Sequence, residues 1–209
     1  MTDLNLISST LIKGDAKGLT ELVQKAVDEE TPPGEILNKS LLPAMDVVGE
    51  RMEEGEMFIP EVLMSAKAMS AALVILKPLL GEGDTSTAGR VVIGTVKGDL
   101  HDIGKNLVMM MMESSGFEVI NLGTDIGPEG FVQAVKEHKP QFVAMSALLT
   151  TTMTQMEKTI AALTENGLRD GVKVVVGGAP VTKAFSDKIG ADGYAPDAGS
   201  GAKLVKSLL

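Results

Sequence analysis

The chain of 209 residues contains no cysteine and no tryptophan, only two histidines, and aromatic residues at 3%. Without thiols, disulfides, iron–sulfur clusters, thiolate zinc sites and cysteine nucleophiles are all excluded. With so few aromatics there is no stacking platform for single-stranded nucleic acid. The formal charge is −9 and no block of Lys and Arg interrupts it, so neither nucleic acid nor an anionic membrane surface is expected as a partner. The opening Met1-Thr-Asp-Leu-Asn lacks the basic and apolar regions of a secretory signal, and the apolar runs are read as too short for a membrane span. A cytoplasmic protein with protein or small-molecule partners is expected. Apolar residues, at 44%, suffice for real cores, and the run of four methionines at 109–112 reads as adaptable core filler.

Two periodicities divide the chain. Over residues 1–80 apolar side chains recur at helical spacing, broken at Gly14, at residues 31–34 and at residues 55–60. Leu19, Leu22, Val23, Ala26 and Val27 line one helix, and Ile36, Leu37, Leu41, Leu42, Met45 and Val48 the next. A last helix starts near Pro60, a residue tolerated in a first helical turn. Short connections predict a four-helix, up-and-down bundle. Residues 81–89 are small and polar and read as a linker. Over residues 90–209, short β-branched runs at 90–96, 117–122, 141–146 and 172–176 alternate with helices starting near Asp102, Pro128, Thr151 and Pro180. That alternation predicts a doubly wound parallel α/β sheet of Rossmann-like, flavodoxin-like type, with ligands beyond the carboxyl ends of the strands.

Glycines and polar residues gather at three of those ends. The first carries Gly98-Asp-Leu-His-Asp-Ile-Gly104, where His101 is placed to bind a metal while a nearby carboxylate orients its ring. A helix-capping histidine and an anion-binding glycine loop compete with that reading, although the glycine spacing of phosphate loops is missing. The second end, running from Ser146 to Met153, holds four hydroxyls, more than one helix cap requires. The third, Gly177-Gly178-Ala-Pro, either makes a turn or lets a flat ligand approach the backbone. His138, on a polar helix end, reads as solvated surface.

Together the three ends resemble the cobalamin-binding motif Asp-x-His-x-x-Gly, Ser-x-Leu, Gly-Gly, here Asp99, His101 and Gly104, then Ser146 and Leu148, then Gly177 and Gly178. Upstream, Gly49-Glu-Arg-Met-Glu-Glu-Gly-Glu-Met-Phe-Ile-Pro-Glu-Val is similar to the helical cap of methionine synthase and of the small corrinoid proteins of methyltransferase systems. The resemblance implies cobalamin or a related corrinoid bound base-off, with His101 as lower ligand to cobalt, cycling through methylcobalamin, cob(I)alamin and cob(II)alamin. It further implies that Asp99 orients His101 and that Thr152 completes a relay. By the same resemblance Gly98, Asp102, Ile103 and Gly104 are cofactor-binding residues of the loop. Ser146, Leu148 and Thr150 meet the buried base, Gly177 and Gly178 leave room for the tail, and Tyr194 and Ala198 close its channel. Met52, Ile59 and Val62 of the cap would stand over the upper face, Met52 where the family has a bulkier phenylalanine. The implied function is a methyl carrier served by a substrate-specific methyltransferase, an acceptor methyltransferase using tetrahydrofolate or coenzyme M, and a reductive activase. The small subunit of an adenosylcobalamin-dependent mutase and a cobalamin-sensing module are the alternatives.

Overall fold

A computed structural model describes residues 3–80 and 88–209. Most of the expected linker, residues 81–87, therefore lies outside the described residues. The chain splits into two compact units, one holding the described residues up to Leu80 with Ser114–Gly116, the other Ala88–Glu113 and Phe117–Leu209.

The first unit is helical. Asp3 caps α1 (Leu4–Ile12) by accepting from the amides of Asn5 and Leu6, and Asp15 caps α2 (Ala16–Asp28) through the Gly18 amide. Gly14 between them has φ +70°, and a Cβ there would lie 2.5 Å from the Met64 Cβ. A continuous run follows as α3 (Pro33–Ile36), a π turn (Leu37–Leu41) and α4 (Leu42–Glu53), the Ser40 hydroxyl returning to the Ile36 carbonyl at 2.6 Å. In α5 (Ile59–Leu76) Glu61 reaches back to the Phe58 amide, and Ser65 donates to the Ile12 carbonyl at the end of α1. Ile7, Leu11, Leu19, Val23, Met45, Val62, Met69 and Leu76 form the core. The four helical runs match the sequence pattern. One expectation is corrected: the stretch Ile59–Leu79 is long and apolar enough to cross a membrane by length and composition. Its buried Val62, Ala66, Met69, Ala72 and Leu76 make it the core helix of this unit.

The second unit is a five-stranded parallel sheet in the order β2-β1-β3-β4-β5, formed by β1 (Arg90–Val96), β2 (Glu118–Ile126), β3 (Phe142–Ser146), β4 (Lys173–Gly177) and β5 (Gly193–Ala195). The crossovers are α6 (Ile103–Ser114), α7 (Pro128–His138), α8 (Thr154–Glu165) and α9 (Lys183–Lys188), and α10 (Ala198–Ser207) closes the chain. Because side chains alternate across a strand, Val92, Val96, Val143, Met145, Val174 and Val176 pack with α7, α8 and α9 on one face. Residues of opposite parity face α6 and α10: a Cβ on Gly193 would meet Leu204, and one on Gly201 would meet Val108 and Ala195.

Three details differ from the sequence pattern. β2 runs on to Ile126, because Gly123 (φ +90°) and Asp125 (φ +58°) let it bulge and continue. β5, three residues long, is too short to show a periodicity. Helices α8 and α9 start about one turn late, after turns in which the Thr152 amide bonds the Leu149 carbonyl and the Val181 amide the Gly178 carbonyl.

Candidate functional site

Beyond Val96 the chain folds back on itself. The Asp99 amide bonds the Val96 carbonyl, Gly98 takes φ +82°, and the buried Thr95 hydroxyl donates to the His101 carbonyl at 2.9 Å. Asp99 is thereby carried under the loop, with none of its surface exposed. Its Oδ1 accepts from the His101 amide at 3.1 Å and lies 2.7 Å from His101 Nδ1. Its Oδ2 accepts from the amides of Leu148 and Leu149, at 2.7 and 3.1 Å, and from the Thr152 hydroxyl at 2.8 Å. Burial alone pushes the Asp99 carboxyl up, but the His101 ring, the Leu148 and His101 amides and the Thr152 hydroxyl reverse this and hold it well below the ordinary carboxylate range. The site therefore contains a fixed, buried carboxylate set against the His101 imidazole.

The His101 ring itself is half exposed. With Nδ1 donating to Asp99, the lone pair is on Nε2, the nitrogen left for a metal. Around it the usual burial rule inverts. Leu100 (72%) and Ile103 (82%) stand in solvent, with Leu148 and Leu149 also exposed. Among the described residues no three His, Cys, Asp or Glu side chains converge to hold a bare ion. A lone imidazole inside an apolar rim suits a metal that brings its own equatorial ligands in a flat apolar ring. Gly104, at the start of α6, supports the same fit, since a Cβ there has no protein atom within 4 Å.

Register places a row of small residues beside this loop. Thr95 pairs with Ser146, Ser146 with Gly177 and Gly177 with Ala195, and all face α6 and α10. Ala198, Gly199, Gly201 and Ala202 of α10 continue the run of small side chains. The two glycines answer first to the backbone: a Cβ on Gly177 would lie 2.9 Å from the Ala195 carbonyl, and one on Gly178 (φ +124°) 1.9 Å from the Ala147 carbonyl. Tyr194 is not brought to this row. It packs with the core on the α7, α8 and α9 face, whereas Ala198 opens α10 on the other. The exposed Thr150 and half-buried Ser146 stay outside the Asp99 network, and Asp102 accepts from Asn106 Nδ2 at 3.0 Å. In the helical unit Ile59 is exposed, Met52 half-buried and Val62 fully buried.

Four contributors escape the sequence reading: Thr95, Leu149, Asp125 and Lys105. Asp125 Oδ1 accepts from the Gly98 amide at 2.6 Å, and its own amide bonds the Asp99 carbonyl at 3.0 Å. Lys105 is 2% exposed, and burial lowers its pKa against the pull of the Asp102 carboxylate.

Two family models described as B12 binding domains match the chain, one over residues 89–202 and the other over residues 4–77. The dimethylamine corrinoid protein of Methanosarcina barkeri is 44% identical, over 99% of this chain and 97% of that protein. A crystal structure of a cobalamin-binding protein from Desulfitobacterium hafniense DCB-2 is similar over 100% of both chains, with 35% identity and a TM-score of 0.86. A chain in the crystal structure of the methanol:cobalamin methyltransferase complex from Methanosarcina barkeri is similar at 31% identity and a TM-score of 0.84, over 97% of this chain and 77% of that one.

Proposed function

Since the chain belongs to the family of corrinoid proteins with B12 binding domains, we propose that it is a methyl carrier, accepting a methyl group from a substrate-specific methyltransferase and yielding it to a second methyltransferase. The carrying observation is the half-exposed His101 ring, held 2.7 Å from a buried carboxylate inside an apolar rim. A bound corrinoid would supply a cobalt centre able to hold a methyl group and, once relieved of it, to act as a nucleophile.

The chain's own residues do the rest. His101 Nε2 would hold the cobalt. Asp99 fixes the ring tautomer and makes the imidazole a stronger donor, and Thr152 with the Leu148 and Leu149 amides keeps Asp99 ionised and still. The exposed Leu100, Ile103, Leu148 and Leu149 would pack against the apolar ring and exclude water from the His101 side. The trough of Thr95, Ser146, Gly177 and Ala195 would receive the nucleotide tail, with the hydroxyls of Ser146 and Thr150 as hydrogen-bonding partners and Ala198 at its end.

Reconstitution with cobalamin, reduction and treatment with methyl iodide tests the assignment. A carrier retains one methyl group per corrinoid and passes it to an acceptor methyltransferase. A protein that binds the corrinoid but holds no transferable methyl group is a mutase subunit or a sensor, and the proposal fails.

A further inference from the structure

Lys105 and Asp99 are the two charged residues among the buried, described residues, and the role of Asp99 leaves Lys105 unexplained. Burying an ammonium is costly unless its hydrogens are taken. Lys105 Nζ donates to Asn106 Oδ1 at 2.6 Å and to Asn121 Oδ1 at 2.8 Å. Each acceptor leads back to the His101 loop from a different side. The Asn106 amide group donates to Asp102, the residue after His101, at 3.0 Å, and the Asn106 backbone amide bonds the Asp102 carbonyl at 2.7 Å. Asn121 Oδ1 also takes the Gly123 amide at 3.0 Å, at the point where β2 slips against β1. Three steps along β1, Ile93 to Val96, there face five along β2, Asn121 to Ile126. The extra length delivers Asp125 in a left-handed conformation, with its carboxylate on the Gly98 amide and its own amide on the Asp99 carbonyl.

We infer that Lys105 and Asp125 are positioning residues for His101, the buried ammonium bracing both the Asp102 side of the loop and the β2 bulge from which Asp125 pins Gly98 and Asp99. A ligand that must release and regain a metal needs its resting geometry restored at each cycle, and a loop tied at both ends to one buried point provides this. The role of the brace in metal binding rests on the corrinoid reading above, whereas the brace itself is a property of the chain alone.

The test uses the full-length chain in both forms. In the apoprotein, Lys105→Met and Asp125→Gly, a residue that suits φ +58° while deleting the carboxylate, are expected to speed hydrogen exchange of the Gly98 amide by about tenfold or more, with β3 and β4 amides unchanged. After loading with cob(II)alamin, both variants are expected to show a smaller fraction of cobalt coupled to an imidazole nitrogen in electron paramagnetic resonance, and Asp125→Asn, which keeps an acceptor, to restore it. If Lys105→Met does not fold, Asp125→Gly carries the test. A full imidazole signal in the variants overturns the inference whether or not exchange is faster, because the brace would then be merely structural. Absence of that signal in the wild type instead sinks the corrinoid reading, leaving the exchange result to judge the brace.

Discussion

The two ends of the parallel sheet obey opposite rules. At the amino end, charges are paired: Arg90 with Glu118 at 2.8 Å and Lys173 with Asp192 at 3.4 Å toward the surface, and Arg169 with Asp192 at 2.7 Å partly covered. The exposed pairs contribute little individually. At the carboxyl end a carboxylate and an ammonium are buried while Leu100, Ile103, Leu148 and Leu149 stand in solvent. The same strands produce both ends, so the inversion is not imposed by the sheet itself. It marks the end where a ligand completes the surface.

Breaking the buried carboxylate should have the largest effect. Asp99→Ala leaves the Leu148 and Leu149 amides without their acceptor and the Thr152 hydroxyl with only the Leu149 carbonyl and should cost the apoprotein about 3–5 kcal/mol in denaturant unfolding. Because the folded Asp99 pKa lies below its ordinary value, this contribution is complete above the unfolded carboxylate pKa, about 3.9, and is lost as pH falls from there toward the folded value. The stability gap between wild type and Asp99→Asn should therefore narrow only in that acidic window. Next comes Gly178→Ala, whose methyl group would meet the Ala147 carbonyl in a backbone conformation that favours glycine. A loss of about 2–4 kcal/mol is expected, and a neutral result would show that Gly178 serves the ligand and not the chain. Ile103→Ser sharpens the contrast from the other side: apoprotein stability should hold within about 0.5 kcal/mol, while corrinoid affinity falls about tenfold. Smallest of all, Lys173→Ala at the amino end should cost less than about 1 kcal/mol and leave corrinoid binding, read by titration, unchanged.

The sequence displayed the functional end better than its support. Asp99, His101 and Gly104 are close enough in the chain for their spacing to carry the chemistry, and Thr152, found through the family resemblance, does stand 2.8 Å from Asp99. Asp125 lies beyond the β-branched run at 117–122 where the pattern ends the strand, whereas the positive φ values at Gly123 and Asp125 bend the strand without ending it. Lys105 is hidden by its type: a lysine in a first helical turn reads as solvated, and only its acceptors Asn106 and, across on β2, Asn121 make its burial tolerable. Gly177 and Gly178 were read as room for a ligand, although close approach of two carbonyls already demands them. Tyr194 was placed by its neighbourhood in the chain, while the alternation of a strand too short to recognise turns it to the opposite face.

The most direct test is electron paramagnetic resonance of the cob(II)alamin-loaded chain carrying nitrogen-15 histidine. The account predicts coupling to one imidazole nitrogen, abolished by His101→Ala and retained in His138→Ala, with apoprotein stability changed by no more than about 1 kcal/mol for the exposed His101 ring. A spectrum without nitrogen-15 coupling, or one in which the coupling survives His101→Ala, would contradict it.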